Sequence, residues 1–180
     1  HRISSGIDGK YKICAGSFSR NVKTSSSFGS SLNLNKDRCY SNYKTMADRE
    51  SEREDGIDVV AIMTPPGSHQ TIGEYFIKKN FHVISDKPFA STYDQAKKLY
   101  STIKKNKKIV YGLTHNYSAY PMVRMAKKLV KDGKIGNIEF VNVEYVQDWS
   151  NGTEVTKKNS KKIFRWKLDK NVVGSSAVLN

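Results

Sequence analysis

Cysteine, proline and tryptophan are scarce in this chain, at two, four and two residues of 180, and each shortage excludes something. Cys14 and Cys39 belong to no CxxC pair, so neither a disulfide framework nor a zinc site is expected. Cys14 lies in an apolar run and reads as a small core residue. No run of about 18 apolar residues occurs, which excludes an apolar membrane-spanning helix. The opening "HRISSGIDGKYKI" has no signal-peptide apolar block and reads like the tail of a helix already under way; a cytoplasmic location and no membrane partner are expected. Acidic residues are few: Asp+Glu is 17 against Lys+Arg 31, a net charge of +14. Such a balance points to an anionic partner, whether nucleic acid, a membrane surface or a phosphorylated small molecule. The basic residues are mostly lysines spread through helical patterns such as "AKKLYSTIKKNKK", the mark of a solvated helix face. There is no Arg-rich arm, no RNA-binding aromatic signature and no zinc spacing, so no nucleic-acid partner is expected. No metal set is apparent.

What is present alternates. At 37% hydrophobic and 27% charged, the chain is polar but within reach of a packed core. "YKICAG" (11–16) is a short strand candidate, followed by the Ser-rich, weakly helical "SRNVKTSSSFGSSLNL" and the short polar helix "NYKTMADRESERE". "IDVVAIMT" (57–64) is β-branched nearly throughout, as in a parallel strand buried on both faces. "SHQTIGEYFIKKN" (68–80) has helical spacing, "FHVIS" (81–85) is a strand, and "TYDQAKKLYSTIKKN" (92–106) is a helix with Thr92 and Gln95 placed as a capping box. "KIVYGLTHN" (108–116) is the next strand.

Strands alternating with helices of this length predict βαβ units and an α/β fold with a doubly wound parallel sheet. Right-handed crossovers put all strand carboxyl ends on one edge, where such sheets bind ligands. "TPPGSH", "SDKP" and "THNY" each follow an apolar strand directly, so His69, Lys87 and His115 are expected on one rim. The pattern changes near Tyr117. "YPMVRMAKKLVKDGKIG" (120–136) predicts a helix ending near Gly133 or Gly136, and "NIEFVNVEYVQDW" (137–149) a strand with one wet face. "NGTEVTKKNSKK" (151–162) reads as a loop and "IFRWKLDK" (163–170) as a short element.

The ordered set "VVAIMTPPGSHQTIG", "HVISDKPF" and "GLTHNYSAYPMVRMAKKLVKDGKIGNIEFVNVEYVQDW" resembles the Gfo/Idh/MocA family of NAD(P)-dependent oxidoreductases, in the manner of a sugar or cyclitol dehydrogenase. The resemblance implies a Rossmann-like dinucleotide-binding domain over 1–117 that lacks its first strand and Gly-rich loop. It implies that 118–180 begins an α+β domain for substrate and oligomerisation. Asp86-Lys87-Pro88 matches the family's Glu-Lys-Pro, with Asp one methylene shorter than the usual Glu and a cis Lys87-Pro88 bond. Lys87 matches the catalytic or substrate-orienting lysine beside the nicotinamide, where a lysine can polarise or protonate a substrate oxygen. Thr64, Pro65 and Pro66 match the loop that passes along the cofactor, with Asp86 and Lys87 beside it. His69, His115 and Asn116 match positions at the substrate cavity, and each is open to a purely structural reading. Trp166 and Lys167 match an aromatic and a basic residue that approach the nicotinamide.

At the adenine ribose the resemblance places Ser17, Ser19 and Arg20 in "AGSFSRN", where NAD enzymes commonly carry an acid. Arginine binds phosphate oxygens bidentately, so NADP is favoured over NAD, although ordinary turn residues would look the same. The family's Gly-rich fingerprint has no counterpart in the chain, and "VVGSSAVLN" matches the segment just before the family's Asp-x-x-x-His. The chain is therefore expected to be an internal piece, inactive alone, of a full-length homo-oligomer acting on a sugar or cyclitol. The alternatives are a non-catalytic binding or regulatory relative and, more remotely, a basic nucleic-acid-binding protein.

Overall fold

The computed structural model describes residues 2–146. Its helices are α1 (Arg2–Gly6), α2 (Val22–Ser31), α3 (Tyr43–Ser51), α4 (His69–Lys78), α5 (Tyr93–Lys105) and α6 (Pro121–Lys131). Its strands are β1 (Val59–Ile62), β2 (His82–Asp86) and β3 (Tyr111–Thr114). The strands form one parallel sheet in the order β1-β2-β3, with α4 as the crossover from β1 to β2 and α5 from β2 to β3. This is a Rossmann-like α/β arrangement. Among the described residues no helix is long and apolar enough to cross a membrane.

The β-branched run around β1 forms the strand predicted for it, two residues shorter at each end. Burial alternates along it: Val60 and Ile62 are buried while Ala61 is exposed. The expectation of burial on both faces therefore needs correction. Val60, Ile62 and Val83 join Ile72, Phe76 and Ile77 of α4, Leu99 of α5, and Met46 and Ala47 of α3 in one core. The opposite face, at Ala61 and beyond the strand at Met63, stays open to water. Gly73 lets α4 come close: a Cβ there would lie 3.3 Å from Tyr111 Cε2 and 3.4 Å from Leu99 Cδ1.

Local chemistry explains the helix ends. Asn42 caps α3, its Oδ1 accepting from Thr45 N at 2.9 Å. Thr92 caps α5 by accepting from Gln95 N, and the Gln95 side chain reaches back to Ser91 N, so the capping box closes one residue earlier than its usual form. Asn80, at φ 65°, stops α4 while Phe81 N returns to Phe76 O at 3.1 Å. Gly133, at φ 66°, stops α6 in the same way through Lys134 N and Leu129 O, a left-handed end that glycine takes without Cβ strain.

A buried ion network fixes the ground below β1. Arg38 Nε donates to Glu50 Oε1 at 3.1 Å, Tyr40 donates to the same oxygen at 2.7 Å, and Ile57 N donates to Oε2 at 3.1 Å. Glu50 is buried, and these donors answer the cost of desolvating it. The bond to Glu50 outweighs burial and raises Arg38, while burial and then the Glu50 bond push the Tyr40 phenol upward.

Two predicted strands do not form. Residues 11–16 yield only an isolated parallel bridge of Gly16 with Cys39, through Gly16 N to Arg38 O and Tyr40 N to Gly16 O. A strand needs a continuous ladder, and the neighbouring segment turns into a short 3-10 helix at Lys36–Arg38 before one can extend. Residues 137–146 are likewise not a strand, and no strand pairing involves them among the described residues. The predicted strand's last residues, 147–149, and the elements at 151–162 and 163–170, with Trp166 and Lys167, fall outside the described residues.

Candidate functional site

The site follows from register. Ile62 pairs with Ser85, and Ser85 with Leu113. Two residues beyond each stand Thr64, Lys87 and His115. Adjacent strands lie about 4.8 Å apart, so the three mark a rim roughly 10 Å across at the carboxyl edge of the sheet. The predicted convergence of these three segments is therefore what the strand pairing builds.

Each segment is locked differently. After β1, Pro65 and Pro66 lead into a 3-10 turn at Pro66–Ser68. Ser68 closes it: its hydroxyl lies 2.7 Å from Thr64 Oγ1 and 2.8 Å from the Pro65 carbonyl. After β2, the Lys87-Pro88 bond is cis, as the resemblance implied. Asp86 Oδ1 accepts from Lys87 N at 3.0 Å and from Thr114 Oγ1 at 2.7 Å. The shorter acid thus ties the end of β2 to the end of β3 and holds the backbone of its own neighbour. Lys87 itself is exposed. After β3, His115 and Asn116 enter a 3-10 turn at Asn116–Ala119, and both are exposed.

His69 is placed unlike the other two rim residues. It opens α4 at 1% exposure. Its Nε2 lies 2.7 Å from the Thr64 carbonyl and its Nδ1 2.8 Å from the Pro88 carbonyl. Both ring nitrogens lie against main-chain carbonyls; the match to the substrate cavity had left a structural role open beside substrate contact. Thr114 opens the "THNY" segment, yet only His115 and Asn116 stood out there from sequence. Its signal was its place at the last position of β3, in register with Asp86. Beneath the rim, burial pushes the Tyr111 phenol above its ordinary value. Beyond it, Tyr117 is raised by its 2.8 Å hydrogen bond with Tyr145.

Ser17, Ser19 and Arg20 lie apart from this rim, just before α2. Ser17 and Ser19 are half-buried and Arg20 is exposed. Asn21 caps α2 through Thr24 N at 3.1 Å, and Ser19 Oγ accepts from Asn21 N at 3.1 Å. The side chains gathered here are hydroxyls, an amide and a guanidinium at a helix N-terminus, with no carboxylate among 9–36. That donor set suits an anion.

A parallel sheet with helical crossovers, carrying its polar turns on the carboxyl rim, defines a dinucleotide-binding protein of Rossmann type. The chain belongs to the Gfo/Idh/MocA oxidoreductase family, whose NAD-binding Rossmann domain matches residues 10–114. It is 32% identical over 99% of its length to an uncharacterised oxidoreductase of Bacillus subtilis, covering 45% of that protein. It is 35% identical to a levoglucosan dehydrogenase of Pseudarthrobacter phenanthrenivorans over 68% of this chain and 29% of the relative. The fold superposes on an inositol dehydrogenase homologue of Azotobacter vinelandii in complex with NAD+ with a TM-score of 0.86, at 27% identity over 95% of this chain and 43% of the other. The chain thus spans less than half the length of these relatives.

Proposed function

We propose that the chain serves an oxidoreductase moving a hydride between a nicotinamide cofactor and a secondary alcohol of a sugar or cyclitol. The observation that carries this reading is the rim itself: three successive parallel strands end in Thr64–Pro66, Asp86–Pro88 and Thr114–Asn116 in one register. The bound nicotinamide supplies the hydride acceptor or donor at its ring carbon. Thr64, Pro65 and Pro66 form the wall along which it lies, and Asp86 beside it ties the Lys87 turn to the end of β3 through Thr114. Lys87 donates a hydrogen bond to the substrate oxygen and stabilises negative charge there as the alcohol gives its hydride to the nicotinamide and its proton to a general base of the full-length protein. His115 and Asn116 present polar groups to the substrate hydroxyls. Relatives whose names specify inositol and levoglucosan support the substrate class.

In the same reading, Ser17, Ser19 and Arg20 receive a 2′-phosphate, so NADP is preferred to NAD. Residues 1–117 act as the dinucleotide domain and 118–180 begin the substrate and oligomerisation domain of a homo-oligomer. The test is steady-state assay of the full-length protein with NAD+ and NADP+ over a panel of sugars and cyclitols. Turnover with a panel member is expected. Lys87→Ala is expected to cut kcat by about 10² to 10⁴ while leaving the cofactor Kd near that of the parent. Arg20→Ala is expected to weaken NADP about tenfold or more, the size of a lost charge-assisted hydrogen bond, and to leave NAD unaffected. Absence of turnover across the panel, or full activity of Lys87→Ala, overturns the reading.

A further inference from the structure

We propose that His69 is a positioning residue for Lys87, acting as a staple between the loop after β1 and the Lys87-Pro88 turn after β2; this rests on the role given to Lys87 above. The ring is buried, with the Thr64 carbonyl at Nε2 and the Pro88 carbonyl at Nδ1, 2.7 and 2.8 Å away. Neither contact is to a side chain. The surroundings explain the need. Pro65, Pro66 and Pro88 have no N–H, so the two loops are short of main-chain donors where their carbonyls turn inward. A buried carbonyl without a donor is destabilising, and a ring with an N–H on both nitrogens, the imidazolium form, answers two of them, where a neutral ring has one N–H to give.

The consequence for Lys87 is specific. Its own N–H is held by Asp86 Oδ1, and the carbonyl of the next residue is held by His69. The backbone is thus fixed on both sides of the residue that would meet substrate. The Thr64 contact does a different thing: together with Ser68 it holds the loop after β1. One ring therefore carries two separable tasks. Its Nδ1 edge sets the Lys87 turn and its Nε2 edge sets the cofactor-side loop.

Two substitutions divide the ring. In His69→Asn the amide nitrogen falls near the position of Nδ1 and retains a donor toward Pro88. In His69→Gln it falls near Nε2 and retains a donor toward Thr64. Both variants are made in the full-length protein and compared for thermal stability, kcat, KM and the amide NMR shifts of Lys87 and Phe89. Each loses one buried hydrogen bond, so similar losses of stability are expected. His69→Gln is expected to lower kcat by about 10- to 100-fold with little change in KM, the effect of a misplaced catalytic group. It is also expected to shift the Lys87 and Phe89 amides, while His69→Asn leaves these amides near the parent and acts instead on the cofactor KM, through the loop after β1. Equal amide shifts in the two variants, or equal kcat losses, overturn the proposal. If the parent proves inactive on every substrate, the oxidoreductase reading has failed, and the amide shifts alone still decide whether His69 holds the turn.

Discussion

Between Tyr43 and Thr114, helices α3, α4 and α5 press Met46, Phe76, Ile77 and Leu99 against Val60, Ile62 and Val83 of the sheet. From His115 to Val146 every residue is exposed. Yet α6 carries Met122, Val123, Met125, Leu129 and Val130, and the segment after it carries Ile138, Phe140, Val141 and Val143. Both stretches show apolar residues at structural spacing. The first has facing elements within its own sequence, because each βαβ unit supplies a helix to cover the strands it connects. In the second, contacts such as those of Tyr117 with Tyr120 and Tyr145 are made at the surface, and every described residue stays exposed. Apolar period decides which residues can be buried; a second surface decides whether they are.

The comparison is sharpened most by breaking the first stretch at its buried charge. Glu50→Ala removes the acceptor of Arg38, Tyr40 and Ile57 and leaves a guanidinium buried without its main partner. A loss of about 3–5 kcal/mol is expected, read as a fall in urea midpoint. A loss below about 1 kcal/mol would mean that the network is not what holds Arg38 in place.

Leu99→Ala comes next. Leu99 is fully buried between α5 and α4, and its truncation is expected to cost about 2–5 kcal/mol. Thr114→Val keeps shape and removes the hydroxyl that joins β3 to Asp86. A hydrogen bond to a charged group is worth about 1.5–3 kcal/mol, and in the full-length protein this variant is also expected to lower kcat by loosening the Lys87 turn. Wild-type kcat in Thr114→Val would show that the turn is set without β3.

A smaller effect links α3 to α4. Lys79 Nζ lies 2.8 Å from Asp48, and the Tyr75 hydroxyl donates to both Asp48 oxygens at 3.0 and 3.1 Å. The Lys79 bond first, and the Tyr75 bond second, hold Asp48 below the usual carboxylate range. A carboxyl lowered by folding contributes stability above its unfolded value of about 3.9, and that contribution fades as pH falls through the folded value. The parent is therefore expected to lose this increment on acidification below about pH 4. Asp48→Asn should show a flatter stability profile in that window, measured by urea titration at several pH values.

Much of the central fold is legible in the sequence, and the reasons are local. β1, β2 and β3 were legible because β-branched residues cluster between turn signals, and α5 because Thr92 and Gln95 announce its start. The rim was legible because polar turns follow three such strands directly. The failures are non-local. Residues 11–16 have strand composition, but a ladder depends on a distant partner, and only Gly16 finds one at Cys39. His69 was legible as a rim residue but not as a buried one, since its partners are carbonyls of residues 64 and 88, and carbonyls have no sequence signature. Thr114 looked like an ordinary strand residue until pairing set it opposite Asp86.

The smallest expected effect lies in the second stretch, and it tests the comparison most directly. Phe140 and Val143 are 84% and 81% exposed. Exposed positions away from caps, ion networks and special backbone angles tolerate substitution within about 0.5 kcal/mol. Phe140→Ser and Val143→Ser in the 180-residue chain should therefore leave the urea midpoint unchanged, in contrast to Leu99→Ala in the same chain. Removing exposed apolar surface should instead act on association, because contiguous apolar patches drive contact between copies. The double variant is expected to scatter less light than the parent at equal concentration. A midpoint lowered by more than about 1 kcal/mol would show that these side chains are packed in solution, and the contrast between the two stretches would fall.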